Sequence, residues 1–267
     1  GRFSGLKGWA VWALGAVVAL QLLAGHTQAA YINLFGLAVY AFWPLAEGVG
    51  RVWQGRRAHG ARRRAQGAGC KSRVSLSRNR VVVYVTALAL GVALAAVQLL
   101  PTWELSRLSI RAGGLSFRES VSFSLRPRML LYTLLPTYGE DLGRAFGTEG
   151  FTEYVAYIGV LGLALAAWGA WWGRPDWARR RFLVLASLGF LLALGVYNPA
   201  YFLLYKLAPG FDLFRAPARW MFLYTFGAAM LAGLGAEQLR ITHHASRITH
   251  HASRFTFHVS RFTHRSR

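Results

Sequence analysis

Arg215 and Arg219 lie four residues apart around Pro217, just ahead of an apolar stretch that opens at Trp220. Paired guanidinium forks suit bidentate contact with a phosphate, and the start of a helix adds a favourable dipole for an anion. If Pro217 opens that helix, the spacing predicts both arginines on one face. The alternative is that they anchor to lipid headgroups or pair with Asp212 and Glu104. His26 and Gln28 occupy a short turn, Gly25-His26-Thr27-Gln28, where they could contact a substrate; a lone His there could equally cap a helix end. Glu140 and Asp141 follow Tyr138-Gly139 as adjacent acids, able to hold a divalent metal or act as a general base, or simply to be solvated in their loop. Glu104 and Arg107 have the i, i+3 spacing of a helical ion pair. The candidate substrate-binding set is therefore Arg215, Arg219, His26, Gln28, Glu104 and Asp141.

Cofactor chemistry has little to build on. Cys70 is the single cysteine, so neither an intramolecular disulfide nor a thiolate zinc site can be written. The adjacent His pairs His243/His244 and His250/His251 have no carboxylate or thiolate beside them to fix a metal geometry. A divalent metal at Glu140–Asp141 is the one candidate cofactor.

The elements that must position these residues are apolar blocks. The chain is 54% hydrophobic with a mean hydropathy of +0.31, yet carries 31 Lys+Arg against 10 Asp+Glu. Charges sit between the blocks rather than among them. A hydrocarbon core of about 30 Å needs roughly twenty apolar helical residues to cross it. Six stretches reach or approach that length: Leu6–Leu23, Ala30–Val49, Val81–Leu100, Tyr154–Trp172, Phe182–Tyr197 and Trp220–Leu239. The expected fold is all-α, a polytopic bundle of about six spans over residues 1–239.

Charge placement orients that bundle. The loop Arg51–Arg80 holds nine arginines, Lys71 and no acid, and Gly173–Arg181 holds four arginines against Asp176. Two spans separate these loops, so they share a side, and the positive-inside rule makes it the cytoplasmic one. Both termini then lie inside, and +19 of the net +21 is cytoplasmic. That distribution arises without a nucleic-acid partner, and none is expected. The outer segment Pro101–Glu153 balances six arginines with six acids. Within it, Ser116 and Glu119 have capping-box spacing, and Pro127–Pro136 reads as a short helix with Pro127 near its first position. Both are expected as short interfacial helices in the outer loops.

Residues 240–267 differ in kind. Arg240-Ile-Thr-His-His-Ala-Ser recurs from Arg247, and degenerate copies follow from Arg254 and Arg261. The repeat fills its heptad with poor helix formers, so a disordered basic tail is expected, read from a tandem repeat in DNA.

Several segments in order resemble the YfhO-type bacterial membrane proteins. These are Gly25-His26-Thr27-Gln28, Gln98-Leu99-Leu100-Pro101 with Glu104-Leu105, Ser122–Pro136, Glu153–Gly159 and Pro209–Arg219. Thr27 stands where that family's turn has proline. The resemblance covers roughly Leu6 to Leu239. It implies a multi-pass protein of the bacterial plasma membrane, similar to GT-C glycosyltransferases, which use polyprenyl-phosphate-linked sugars at the outer face for cell-envelope glycosylation. Its partners would be membrane lipid and such a lipid-linked sugar. In GT-C enzymes the catalytic acid follows the first span, in a large outer loop with no counterpart here. The chain therefore reads as an internal fragment, with its catalytic position expected upstream of Gly1. A non-catalytic binder of lipid-linked sugar, a flippase partner or a transporter is the other class the sequence allows.

Overall fold

The computed structural model describes residues 2–55, 81–109, 113–135, 141–147, 151–173 and 176–241, and among them every regular element is helical. The long helices are α1 (Arg2–Leu23), α2 (Thr27–Gly55), α3 (Val81–Leu94), α4 (Ala96–Leu108), α8 (Val160–Trp171), α9 (Trp177–Ala193) and α11 (221–241). Between them lie the shorter α5 (Phe117–Ser120), α6 (Leu130–Leu134), α7 (Leu142–Phe146) and α10 (Pro199–Leu207). Each apolar stretch of the sequence thus carries a helix, though not always with the expected bounds. Among the described residues no single helix is long and apolar enough to cross a membrane. Only α3 and α4 together pass that test, and they are bent by 76°.

That bend corrects the third stretch, expected as one helix ending at Leu100. The helix breaks at Ala95 and resumes as α4, which carries Pro101, Glu104 and Arg107 on to Leu108. The break lies well ahead of Pro101, which sits inside α4, so no proline or glycine occupies the break itself. The fourth stretch was expected to be helical from Tyr154, but α8 begins only at Val160. Gly159, at φ +87°, forms its N-cap in a backbone conformation open to glycine and costly to other residues. The fifth was expected at Phe182–Tyr197. A start within the preceding arginines was also expected, and α9 does take in Arg179–Arg181. The difference is at its other end, where it gives way after Ala193 to a 3₁₀ turn, Gly195–Tyr197.

The local helix and cap readings within Pro101–Glu153 hold. Ser116 accepts the Glu119 amide while the Glu119 carboxylate accepts the Ser116 amide at 2.9 Å, a complete capping box. Pro127–Met129 forms a 3₁₀ turn leading into α6, which stops at Leu134. Leu135 is extended (φ −119°, ψ 146°), as the following Pro136 favours. The tail 242–267, most of the Arg51–Arg80 loop and Glu140 lie outside the described residues.

The chain forms two compact units. The first comprises Gly1–Pro127 and Phe190–Leu223. In it α1 and α3 meet through glycines: Gly91 packs on Val18 and the Gly15 carbonyl, and Gly15 on Leu90. The second comprises Arg128–Gly189 and the chain from Tyr224 onward. Its core is Ala166, Ala228 and Leu231, flanked by Phe182, Leu183 and Tyr224. Arg179 donates to the carbonyls of Ala170 (2.9 Å) and Gly173 (3.0 Å), satisfying acceptors left open at the end of α8.

Candidate anion-binding site

Two loops of the first unit are welded together by buried hydroxyls. Ser120, fully buried, donates to the Phe211 carbonyl at 3.1 Å and lies 3.3 Å from that of Phe214. Ser124 donates to the Val121 carbonyl and accepts the Val196 amide at 3.0 Å. The Leu115 amide donates to the Asp212 carbonyl, and the Tyr205 hydroxyl to that of Leu115. Each bond satisfies a group that would otherwise be stranded away from water, so the loops are held as one body.

At the centre of this body the backbone is strained. Phe123 and Ala216 both have positive φ, 59° and 64°. The Ala216 amide donates to the Ser122 carbonyl (3.1 Å) and the Ala218 amide to that of Phe123 (3.2 Å). Two L-residues in the left-handed region cost of order 1–3 kcal/mol each, and such positions cluster at functional sites. Ala216→Val should therefore lower stability by about 2 kcal/mol, since a β-branched residue is a poor fit to that backbone, whereas Ala216→Gly should be tolerated. Thermal unfolding of the two variants in detergent would test this; a Val variant as stable as wild type would show that Ala216 carries no strain.

The left-handed turn presents two carbonyls to Gln28 at the N-terminal end of α2. The Gln28 amide nitrogen donates to the Arg215 carbonyl at 2.7 Å and approaches that of Ala216 at 3.3 Å. Facing two acceptors, that end of the amide must be the NH₂, so the oxygen points the other way. There it accepts the Arg219 guanidinium at 2.6 Å. Gln28 is only 6% exposed, so this orientation is fixed by packing as well as by bonding.

The two arginines do not share a helix face. Ala216 turns the chain between them, and Pro217–Trp220 forms a 3₁₀ turn rather than the first turn of an α-helix. Pro217 does open that turn, but Arg215 lies before the reversal and Arg219 within it. Arg215 is exposed, with its guanidinium 6.0 Å from the Phe123 ring centroid. No ion pair joins Arg215 to Asp212 or Glu104 among the described residues, and the Asp212 carboxylate lies against Gly114.

Beside Gln28 is a cleft of about 220 Å³ lined by Gln28, Tyr31, Ile32, Tyr201, Gly210, Phe211, Phe214 and Trp220. Phe211 and Trp220 stack at 5.5 Å, and the Tyr31 hydroxyl donates to the Pro209 carbonyl at 2.9 Å. Burial pushes the Tyr201 phenol above its ordinary pKa, although Ser120 and Trp220 beside it pull the other way, so it is a neutral wall at physiological pH. Part of that volume is open solvent, so the enclosed space is too small to hold a sugar.

The remaining candidates have other local roles. The His26 carbonyl accepts the Ala30 amide, and its Nδ1 accepts the Ala29 amide at 3.3 Å, so the imidazole caps α2. Glu104 is exposed on α4, and no ion pair joins it to Arg107. Asp141 belongs to the second unit, where its carboxylate accepts the Gly143 amide at 2.9 Å and caps α7. Among the described residues no group of three or more His, Cys, Asp or Glu is placed to hold a metal. Ser120 was not singled out in the sequence, because the Phe211 carbonyl it bonds lies 91 positions away and a lone hydroxyl gives no local signal.

No family model, no curated protein and no solved structure matches the chain.

Proposed function

We propose that this chain is the core of a polytopic bacterial plasma-membrane protein, similar to GT-C glycosyltransferases, whose outer face binds the phosphate of a polyprenyl-linked sugar. One observation carries the reading. The turn Gly25–Gln28 and the segment Pro209–Arg219, which separately resemble YfhO-type proteins, meet through the Gln28–Arg219 hydrogen bond across 191 residues. The bond leaves a guanidinium positioned by a buried amide, with a second arginine exposed on the same loop. Such an arrangement suits an anion that approaches from outside the packed core. The segregation of charge into loops between apolar helices supports the membrane placement.

A non-catalytic binder of lipid-linked sugar, flippase partner or transporter fits the same contacts.

Orientation is the first test. On a Cys70→Ser background, a cysteine at Gly113 should react with a membrane-impermeant maleimide in intact cells, and one at Ala61 should react only after permeabilisation. The reverse pattern would invert the topology and place the arginine site on the wrong side for a lipid-linked sugar at the outer face.

A further inference from the structure

Two helices of the first unit are apolar where a water-facing helix carries charge. α4 has no buried residue. Val97 and Leu108 are 81% and 82% exposed, and Leu100 and Leu105 are exposed with them. At 100° per residue these four fall within an arc of roughly 140°. Thr102 and Ser106 lie opposite, with their hydroxyls turned onto their own helix, 2.8 Å from the Gln98 carbonyl and 2.7 Å from that of Trp103. Leu99 and the exposed Trp103 share that side, so the helix is apolar around most of its girth. Arg107 sits at one edge of the apolar arc and Glu104 within it.

α10, which the sequence presented only as a connection, has two apolar sides. Tyr201 is buried on one, while Phe202, Leu203 and Leu207 are exposed on the other. Lys206 lies among the exposed set, its ammonium 5.5 Å from the Tyr205 ring centroid and 6.0 Å from that of Phe202. A lysine whose stem follows an apolar face while its head reaches a polar layer behaves in this way at a membrane surface.

Geometry and charge identify the partner. α4 leaves α3 at 76°. If α3 runs along the bilayer normal, α4 runs nearly in the membrane plane. Exposed Arg118, Arg126 and Arg215 add to Arg107 and Lys206 on the same unit. The opposing acids are fewer: Glu104 lies exposed on α4, the Glu119 carboxylate is engaged in its capping box, and that of Asp212 lies against Gly114. This is the complement of a surface of anionic phospholipid headgroups.

We propose that α4 and α10 lie in the outer interface of the bilayer, with Leu105, Leu108, Leu203 and Leu207 at the acyl boundary and Arg107 and Lys206 on lipid phosphates. Because the chain passes from α10 directly into Pro209–Arg219, this seat holds the arginine loop at headgroup depth, where a lipid-linked phosphate is presented from the membrane rather than from water. The inference rests on the membrane reading above, but not on the identity of the polyprenyl ligand.

The test uses the full chain, with Cys70→Ser and one new cysteine, reconstituted into phosphatidylcholine–phosphatidylglycerol vesicles and labelled with a fluorophore. Leu105→Cys and Leu203→Cys report on the two helices, and Val17→Cys, exposed on α1 within the first apolar stretch, reports on a span. Nitroxide lipids with the spin near the headgroup should quench the labels at 105 and 203 about twofold more than lipids with the spin deep in the acyl chain, given an interfacial helix only 5–10 Å deep. The label at 17 should show the opposite order. If 105 and 203 respond to aqueous iodide alone, prefer the deep spin, or are shielded from every quencher as a second copy would shield them, the interfacial seat is wrong while the response at 17 upholds the membrane reading. If 17 also escapes both lipid quenchers, the two readings fall together.

Discussion

Replacing Gly169 or Gly235 with alanine should cost the second unit about 3 kcal/mol of stability, and leucine at either site should prevent its packing. Each glycine of this pair packs on backbone. A methyl on Gly169 would collide with the Leu231 carbonyl and reach 2.8 Å from the Gly235 amide nitrogen; one on Gly235 would collide with the Leu165 carbonyl and reach 3.0 Å from the Gly169 amide. A side chain can rotate out of such a clash, but a helix backbone cannot. α8 and α11 would therefore have to separate along the core of Ala166, Ala228 and Leu231. Small residues that let helix backbones approach closely are also the usual basis of helix association in lipid. Gly233 supplies the control. Nothing lies within 4 Å of a methyl placed there, so Gly233→Ala should be neutral or stabilising by up to about 1 kcal/mol from helix propensity. Thermal unfolding of the three alanine variants in detergent checks this. Equal stability at all three positions would show that α8 and α11 do not pack through their glycines.

Gln28→Leu should have the next largest effect, a loss of about 2–3 kcal/mol. It removes the donor to the Arg215 carbonyl and the acceptor for Arg219 at once, and puts an apolar side chain against polar groups in a buried place. Gln28→Glu should be no rescue: it keeps an acceptor for the guanidinium but turns a second oxygen onto two carbonyls that need a donor. Because Gln28 and Arg219 are in contact, the double substitution Gln28→Leu with Arg219→Leu should cost less than the two singles combined, by about 0.5–3 kcal/mol. Strict additivity in a double-mutant cycle, read by unfolding, would mean that the bond does not couple the turn to the arginine loop.

What the sequence made legible was local. Ser116 and Glu119 specify their capping box within four residues, and Pro127 and Pro136 bracket α6. Apolar blocks located α1, α2, α3, α8, α9 and α11, because a long apolar run is visible in composition alone. What it hid depended on backbone conformations that the residue types do not advertise. Ala95 breaks the α3–α4 stretch inside a run of good helix formers, where neither Gly nor Pro marks the spot. A glycine at 216 would have signalled a chain reversal between Arg215 and Arg219; alanine gave none, and i, i+4 spacing pointed to a shared face that does not exist. α10 was hidden because its two apolar sides leave no clean polar stripe. Gln28 and Arg219 could each be singled out for their chemistry, but their contact spans 191 residues and is set by the tertiary fold.

The most direct measurement is equilibrium binding of a polyprenyl phosphate to the protein in nanodiscs, with the phosphate-free polyprenol as reference. The wild-type chain should bind the phosphate form and discriminate against the alcohol. Arg215→Ala and Arg219→Ala should each weaken phosphate binding roughly ten- to a hundred-fold, the loss of one charge-assisted contact of about 1.5–3 kcal/mol. Lysine at either position should recover part of it, keeping the charge without the planar fork. Equal affinity for phosphate and alcohol, or unchanged affinity in arginine variants that unfold at the wild-type temperature, would contradict an anion site at these residues.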